Sequence, residues 1–203
     1  TRNMSSAASD VYKRQFRIRS AALRWPSTLI VRSKAVPRFP CMPGSNSADL
    51  VLLRHGIAEP RQAGQDHHDR PLTAAGRQRT QRVMAALVQR GLRVDRLLSS
   101  PYRRALQTAE LALEAGLASE LAVDERLQPG GALNMLVTAF DQRLGLVGHE
   151  PDLGDLACGL LGCAPGALVL KKAGVIQLRR SAGQWQLKAL LRPALLIDDL
   201  GCC

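Results

Sequence analysis

From Asp49 onward, short apolar runs alternate with segments of helical periodicity, and this alternation constrains the fold more than any other feature of the chain. Each apolar run has the length of a strand, and the helical segments between them are long enough to cross back over a sheet. Strands joined by helical crossovers run parallel, with helices on both faces. We therefore expect a three-layer α/β/α domain with a mostly parallel sheet of about six strands.

Turn and cap residues divide this region into elements. Thr73 is predicted to cap a helix that stops at Gly91, and Ser100 to cap another with Pro101 in its first position. A hairpin is expected around residues 181–183. Strands are predicted at 49–54, 94–98, 121–123, 143–147, 175–179 and 184–190, and helices at about 74–90, 100–115, 133–140 and 152–161.

Charge separates the N-terminal segment from the rest of the 203-residue chain. Residues 1–48 hold nine basic and one acidic residue, whereas residues 49–203 hold 19 and 16, so most of the net charge of +11 belongs to the N-terminal segment. We expect residues 1–48 to be disordered or non-native, with a transit segment and a basic arm as open alternatives. The folded domain is predicted at 49–192, followed by a C-terminal tail at 193–203.

Composition argues against several classes of protein. The folded part has nearly balanced charge and few aromatic residues, which disfavours nucleic-acid binding. No apolar run approaches the roughly 18 residues that a membrane helix requires. The five cysteines form no CxxC pair and are odd in number, which favours a reducing compartment. A cytoplasmic monomer without a nucleic-acid or membrane partner is expected.

Polar residues that suit phosphate follow three of the predicted strands. Arg54 and His55 end the first strand, Arg104 lies in the first turn of the helix after the second, and His149 follows a later strand. Because the carboxyl ends of parallel strands share one edge, these side chains should converge on one pocket. Arginine forms a planar fork that fits phosphate, and a neutral imidazole can attack phosphorus. The helix predicted to begin near Ser100 would also point its positive end toward an anion.

Four blocks carry a family resemblance: LRHG at 53–56, RPLT at 70–73 with Gly76, SPYRRALQT at 100–108, and VGHEP at 147–151. Together they resemble the histidine phosphatase superfamily (branch 1), whose signature is Arg-His-Gly after the first strand, and most closely its SixA-type phosphohistidine phosphatases. The resemblance covers about residues 49–192. It implies a phosphoglycerate-mutase-like fold without a large lid insertion.

The resemblance also implies roles for individual residues. His55 would be the nucleophile that takes the phosphoryl group, Arg54 and Arg104 would clamp phosphate, and His149 would complete the pocket and stabilise charge. Neither a cofactor nor a metal is implied. The residues expected to bind substrate are Arg54, Gly56, Arg70, Arg104 and His149.

A general acid is hard to find in the sequence. Glu125 and Asp124 are nearby candidates, Glu59 after the first motif is another, and Asp66 and Asp69 are more remote. An alcohol leaves phosphorus poorly unless it is protonated, whereas a departing imidazole can leave as a neutral ring, so a site without a dedicated acid favours a P–N bond. The absence of a lid insertion also predicts an open site. We therefore expect the substrate to be a histidine-phosphorylated protein, such as a phosphotransfer domain or phosphocarrier.

Two alternatives remain open for the function as a whole. One is a phosphatase of the same superfamily that acts on a small phosphomonoester, and the other is a phosphoprotein-binding module without catalysis. The tandem pair His67-His68 also suggests metal binding, but such a pair in a polar segment more often marks only a loop.

Overall fold

The computed structural model describes residues 31–32, 48–61, 64–137 and 143–197. Two short 3-10 helices occupy Glu125–Leu127 and Leu133–Leu136. The strands are β1 (Val31–Arg32), β2 (Ala48–Arg54), β3 (Val94–Ser99), β4 (Ala118–Val123), β5 (Leu144–Gly148), β6 (Val175–Ser181) and β7 (Gln184–Leu191). The helices are α1 (Ala74–Gln89), α2 (Arg103–Glu114), α3 (Asp152–Leu161) and α4 (Pro193–Ile197).

The strands form one sheet with the order β1-β4-β3-β5-β2-β6-β7. The four inner strands β4, β3, β5 and β2 are parallel to one another. The outer strands β1, β6 and β7 pair antiparallel, and β6 and β7 form the predicted hairpin. The predicted α/β architecture is confirmed. The strands that the predicted site residues follow, β2, β3 and β5, lie in its parallel centre.

Helices cover both faces of the sheet and bury two apolar clusters. On one face α1 and α2 pack together, and the predicted apolar stripe of α1 is buried at Val83, Met84 and Leu87. On the other face α3 places Leu153 and Leu156 against the sheet. Each fully buried aliphatic side chain contributes about 1.5–3 kcal/mol relative to an exposed one. Within the described residues, no helix is both long enough and apolar enough to cross a membrane.

Both predicted ends of α1 are confirmed. The Thr73 side chain accepts a hydrogen bond from the amide of Gly76, which satisfies one of the free donors of the first turn. Gly91 follows the helix with φ of 81°, and its amide donates to Val88. In the β6–β7 hairpin, Ala182 and Gly183 both have positive φ, as a two-residue hairpin turn requires.

The start of α2 differs from the prediction. The helix begins at Arg103 rather than near Ser100. The Ser100 hydroxyl accepts a hydrogen bond from the amide of Tyr102 and also contacts the ring of His149, so it does not cap a helix. The first helical amide, that of Arg103, donates to the carbonyl of His68. A loop carbonyl thus already uses the first amide of α2, and the expectation that this helix terminus favours an anion stays a prediction.

Both ends of the predicted domain also differ in detail. Before Ala48 the structure describes only β1, which pairs with β4, so the prediction for residues 1–48 otherwise lies outside the described residues. After residue 192 the chain continues into α4, whose Leu196 and Ile197 are buried against α1 and the sheet; the predicted tail therefore contributes to the core. The helix predicted at 133–140 is a 3-10 helix over Leu133–Leu136, and residues 138–140 lie outside the described ranges.

Candidate active site

The carboxyl ends of three parallel strands meet at one edge of the sheet. β5 lies between β2 and β3, with Arg54 opposite Gly148 and Ser99 opposite Val147. The backbone continues this register beyond the strands, since the amide of His55 donates to the carbonyl of Gly148 over 3.1 Å. The residues that follow each strand are thus held side by side, as the sequence predicts.

The ring of His55 has a defined tautomer. Its Nδ1 lies 2.7 Å from the carbonyl oxygen of Gly56, which can only accept, so Nδ1 carries the proton. The opposite nitrogen, Nε2, accepts a hydrogen bond from Nε of Arg104 over 3.2 Å. Burial, joined by the charges of nearby His149, Arg104 and Arg54, lowers the pKa of His55 to about 3 despite the bond to Gly56. The imidazole is therefore neutral at pH 7, and the unprotonated nitrogen is Nε2, which faces Arg104.

Arg104 is almost fully buried and is held from several directions. Its Nη1 donates to the carbonyl of His67 over 3.3 Å, and its Nη2 donates to the carboxylate of Asp66 over 3.0 Å. Nη2 also lies 3.3 Å from Nδ1 of His149. The guanidinium carbon sits 4.8 Å from the centroid of the Tyr102 ring. This cation is therefore fixed beside both imidazoles.

His149 completes the cluster. Because Arg104 can only donate, Nδ1 of His149 is the acceptor, and its Nε2 donates to the hydroxyl of Ser100 over 2.9 Å. The ring centroids of His149 and His55 are 5.2 Å apart. Burial and the charge of Arg104 lower the pKa of His149 to about 4, so this imidazole is also neutral at pH 7.

Arg54 reaches the cluster from β2. Its Nη1 donates to the carbonyl of Leu170 over 2.7 Å. Its Nε is a buried polar atom for which the described residues provide no hydrogen-bond partner. Burial lowers the pKa of Arg54, and the carboxylate of Glu150 acts in the opposite direction. The Arg54 side chain also lines the pocket, and a guanidinium there suits an oxyanion.

These side chains line a cavity of about 470 Å³. Five basic side chains and three acidic ones face it, so the lining has a net positive charge that favours an anionic group. The segment between β4 and β5 contributes Pro129 to the wall of the cavity. The charged lining residues are Arg54, Arg61, Arg70, Arg104, Lys172, Glu59, Asp66 and Glu150.

Comparison with known proteins assigns this arrangement to a family. Residues 50–129 match the model of the histidine phosphatase superfamily (branch 1). An uncharacterized protein of Picosynechococcus sp. (strain ATCC 27264 / PCC 7002 / PR-6) is 41% identical over 146 residues, which are 68% of this chain and 88% of the relative. The chain belongs to the histidine phosphatase superfamily.

Solved structures of phosphatases share the fold. The protein histidine phosphatase SixA, complexed with tungstate, superposes with a TM-score of 0.63 at 24% identity, covering 73% of this chain and 99% of SixA. A mutant phosphoserine phosphatase from Entamoeba histolytica, in complex with phosphoserine, gives a TM-score of 0.56 at 18% identity, covering 72% and 98%. At these identities the likeness establishes the phosphoglycerate-mutase-like fold.

Gly56, the glycine of the Arg-His-Gly signature, is buried and is not among the residues that line the pocket. Its amide donates to the hydroxyl of Thr108 over 3.0 Å, and that hydroxyl donates to the carbonyl of Arg104 over 2.7 Å. A Cβ atom at Gly56 would lie 2.3 Å from Oγ1 of Thr80. This glycine therefore allows close packing and joins the His55 strand end to α2, and the expectation that Gly56 binds substrate stays a prediction.

The other predicted site residues separate into two groups. Arg70 and Glu59 line the pocket, and Nη1 of Arg70 donates to the carbonyl of Glu59 over 2.5 Å. Glu125 is exposed in a 3-10 helix and is not among the residues of the pocket wall. The geometry does not support Glu125 as a general acid, because the 3-10 helix turns it toward solvent.

Sequence reasoning missed the supporting contacts of the site. Asp66, considered only as a remote candidate acid, forms ion pairs with Arg104 and Arg70. Ser100 and Thr108 hold His149 and Gly56 through their hydroxyls. Both hydroxyls stand inside the SPYRRALQT block, so their position in that motif is the only signal that could have found them.

The loop before Arg70 also holds the tandem histidines. His67, His68 and Asp69 are exposed and each offers a ligand atom within 4.8 Å of the others. The two imidazole rings stack with centroids 4.8 Å apart. Three consecutive exposed residues do not by themselves form an enclosed metal site, and the expectation that the site uses no metal stays a prediction.

Proposed function

We propose that this protein is a phosphohistidine phosphatase that removes a phosphoryl group from a histidine-phosphorylated protein, with His55 as the nucleophile. The observation that carries the proposal is the state of His55: a neutral ring whose Nδ1 is tied to Gly56 and whose Nε2 lies beside Arg104. Membership of the histidine phosphatase superfamily supports the same chemistry.

The reaction divides into two displacements. In the first, the lone pair of His55 Nε2 forms a bond to phosphorus and the bond to the substrate nitrogen breaks. Its electron pair stays on the departing imidazole, whose other nitrogen carries a proton, so the ring leaves neutral. In the second, a water oxygen bonds to phosphorus, the bond to His55 breaks with its electron pair returning to Nε2, and the product leaves as dihydrogen phosphate, which retains both protons of the water. Arg54 and Arg104 stabilise the charge on the phosphoryl oxygens in both steps.

Arg54 contributes a positioned positive charge to the first step. Its side chain lines the cavity, and Nη1 is fixed on the carbonyl of Leu170, so the guanidinium is held where it can stabilise a phosphoryl oxygen. His149 stands on the other side of Arg104, with its Nε2–H held by Ser100. Positioning of this kind supplies most of the catalysis in phosphoryl transfer.

The carboxyl group that contacts Arg104, that of Asp66, favours a nitrogen leaving group. Asp66 remains ionised, because hydrogen bonding to Arg70 and the charges of nearby arginines lower its pKa and outweigh the raising effect of burial. An ionised carboxylate cannot protonate a leaving group, and Glu125 lies outside the pocket wall. A departing imidazole makes the smallest demand for an acid, which supports phosphohistidine as the substrate.

A phosphatase for small phosphomonoesters is the second candidate, and one observation favours it. Glu150 lines the pocket, and burial raises its pKa, although hydrogen bonds and Arg54 act in the opposite direction. A raised pKa brings a carboxyl group closer to the range in which it can act as a general acid for an alcohol. The likeness to a phosphoserine phosphatase is consistent with this candidate at the level of the fold.

The test compares two substrates. Phosphoryl release from a phosphorylated phosphotransfer domain and from phosphoserine is measured with the wild type, His55→Ala and the control His68→Ala, which removes an exposed imidazole of the neighbouring loop. We expect kcat/KM at least about a hundredfold higher on the phosphoprotein, loss of both activities in His55→Ala, and retention in His68→Ala. A preference for phosphoserine would favour the second candidate, and no turnover of either would favour a binding module.

A further inference from the structure

Asp66 lies against the positive charges that line the pocket. Its Oδ2 accepts a hydrogen bond from Nη2 of Arg104 over 3.0 Å, and its Oδ1 accepts two from Arg70, the longer over 3.1 Å. Arg61 approaches the same carboxylate at 3.8 Å. All four residues line the cavity. The carboxylate of Asp66 therefore already accepts hydrogen bonds from the guanidinium groups that would bind a phosphoryl group.

We propose that Asp66 weakens the binding of phosphate, because its carboxylate competes with the bound phosphoryl group for Arg104 and Arg70. The inference rests on the proposed function in one respect, the binding of the phosphoryl group beside Arg104. Its consequence is that product phosphate leaves readily and that free phosphate is a poor inhibitor.

The alternative role for Asp66, as an anchor for Arg104, is disfavoured by the other contacts of that side chain. Arg104 is 1% exposed and is held by the carbonyl of His67, by Nε2 of His55 and by the ring of Tyr102. These contacts do not involve Asp66. Loss of the carboxylate charge would leave this cation in place.

Arg70 is likewise held by a second contact, since its Nη1 donates to the carbonyl of Glu59 over 2.5 Å. An asparagine at position 66 keeps an amide oxygen that can accept from either arginine. The substitution Asp66→Asn therefore removes a charge while it preserves the shape and the acceptor. A change in anion affinity in this variant should therefore result from the lost charge and not from a rearranged pocket.

The size of the effect follows from Coulomb's law. A unit charge about 6 Å from a phosphate dianion changes its affinity by about tenfold even at the dielectric constant of water. The carboxylate is partly shielded from solvent, at 32% side-chain exposure, which favours an effect of at least this size. Salt in the assay buffer reduces it, so the measurement belongs at low ionic strength.

The experiment measures binding of inorganic phosphate and of tungstate by calorimetry, using the full chain. The variants are Asp66→Asn and the matched control Asp69→Asn. Asp69 lies in the same loop, is exposed, and contacts His68 at 3.4 Å. We expect Asp66→Asn to bind both anions about tenfold more tightly than the wild type, and Asp69→Asn to stay within about twofold.

A turnover assay adds an independent measurement. The inhibition constant of phosphate should fall about tenfold in Asp66→Asn, with a smaller change in kcat. A merely structural role would instead lower kcat and weaken anion binding together. Asp66→Ser, which also removes the charge, serves as the second variant if Asp66→Asn does not fold.

The outcomes separate the inference from the function on which it rests. If the wild type binds phosphate and Asp66→Asn binds it equally or more weakly, the inference is overturned and the proposed function stands. An equal gain in Asp69→Asn would also overturn it, because the effect would then belong to the net charge of the loop. If the wild type binds neither anion, both fail.

Discussion

Protonation of His55 should cost the folded protein stability in mild acid. The ordinary pKa of histidine is about 6.5, which the unfolded chain would show, whereas burial and neighbouring positive charges lower the pKa of the folded His55 to about 3. Below pH 6.5 the unfolded state therefore binds a proton that the folded state does not. The free energy of unfolding must fall as the pH drops through this range and level off only near the folded pKa.

The magnitude follows from the pKa difference. Between the two pKa values each pH unit costs about 1.4 kcal/mol, so lowering the pH from 6.5 to 4.5 should remove about 2 kcal/mol through His55 alone. His149, with a pKa of about 4, should contribute a loss of the same sign. Typical domains have only about 5–15 kcal/mol of stability, so the loss is readily measurable.

The assay is urea unfolding of the wild type and His55→Gln at pH 6.5, 5.5 and 4.5. Glutamine does not titrate, so the difference between the two profiles isolates His55, and contributions of the carboxyl groups largely cancel. We expect the wild type to lose about 2 kcal/mol more than the variant across this range. Equal losses, or a larger loss in the variant, would refute the account of a buried, neutral nucleophile.

Three further substitutions test the packing around the site and the hairpin. Gly56→Ala should abolish turnover and destabilise the fold by about 1–3 kcal/mol, because the new Cβ would meet the Thr80 hydroxyl at 2.3 Å; thermal melting with an activity assay checks this. Thr108→Val should cost about 1–3 kcal/mol in urea unfolding, since it leaves the buried amide of Gly56 unpaired, and an unchanged midpoint would contradict it. Ala182→Asn should raise stability by about 0.5–1 kcal/mol, because asparagine tolerates the φ of 51° better than alanine, and a lower midpoint would count against the turn assignment.

Local patterns in the sequence predicted the elements well. The cap at Thr73, the terminal Gly91 and the helix Asp152–Leu161 all depend on interactions within a few residues, and each is confirmed. The convergence of strand ends also follows from local patterns, because parallel pairing alone brings Arg54 and Gly148 together. Where neighbours in the chain decide the structure, the sequence was sufficient.

Long-range contacts explain the differences. The start of α2 depends on the carbonyl of His68, a residue 35 positions earlier than Arg103, which no helix propensity reports. Asp66 pairs with Arg104 across 38 positions, so its place in the pocket becomes visible only when the loop packs against α2. The burial of Leu196 likewise depends on a cluster gathered from several elements. In each case the contact joins segments that are far apart in the chain, so local sequence patterns do not predict it.

The most direct test of the central claim is to trap the phosphoryl group on the enzyme. The protein is mixed with a phosphotransfer domain carrying labelled phosphate, quenched in alkali, digested and analysed for the labelled residue and atom. The account predicts alkali-stable, acid-labile label on Nε2 of His55, and none in His55→Asn. Label on His149 or on another residue, or release of phosphate by the His55→Asn variant at the wild-type rate, would contradict it.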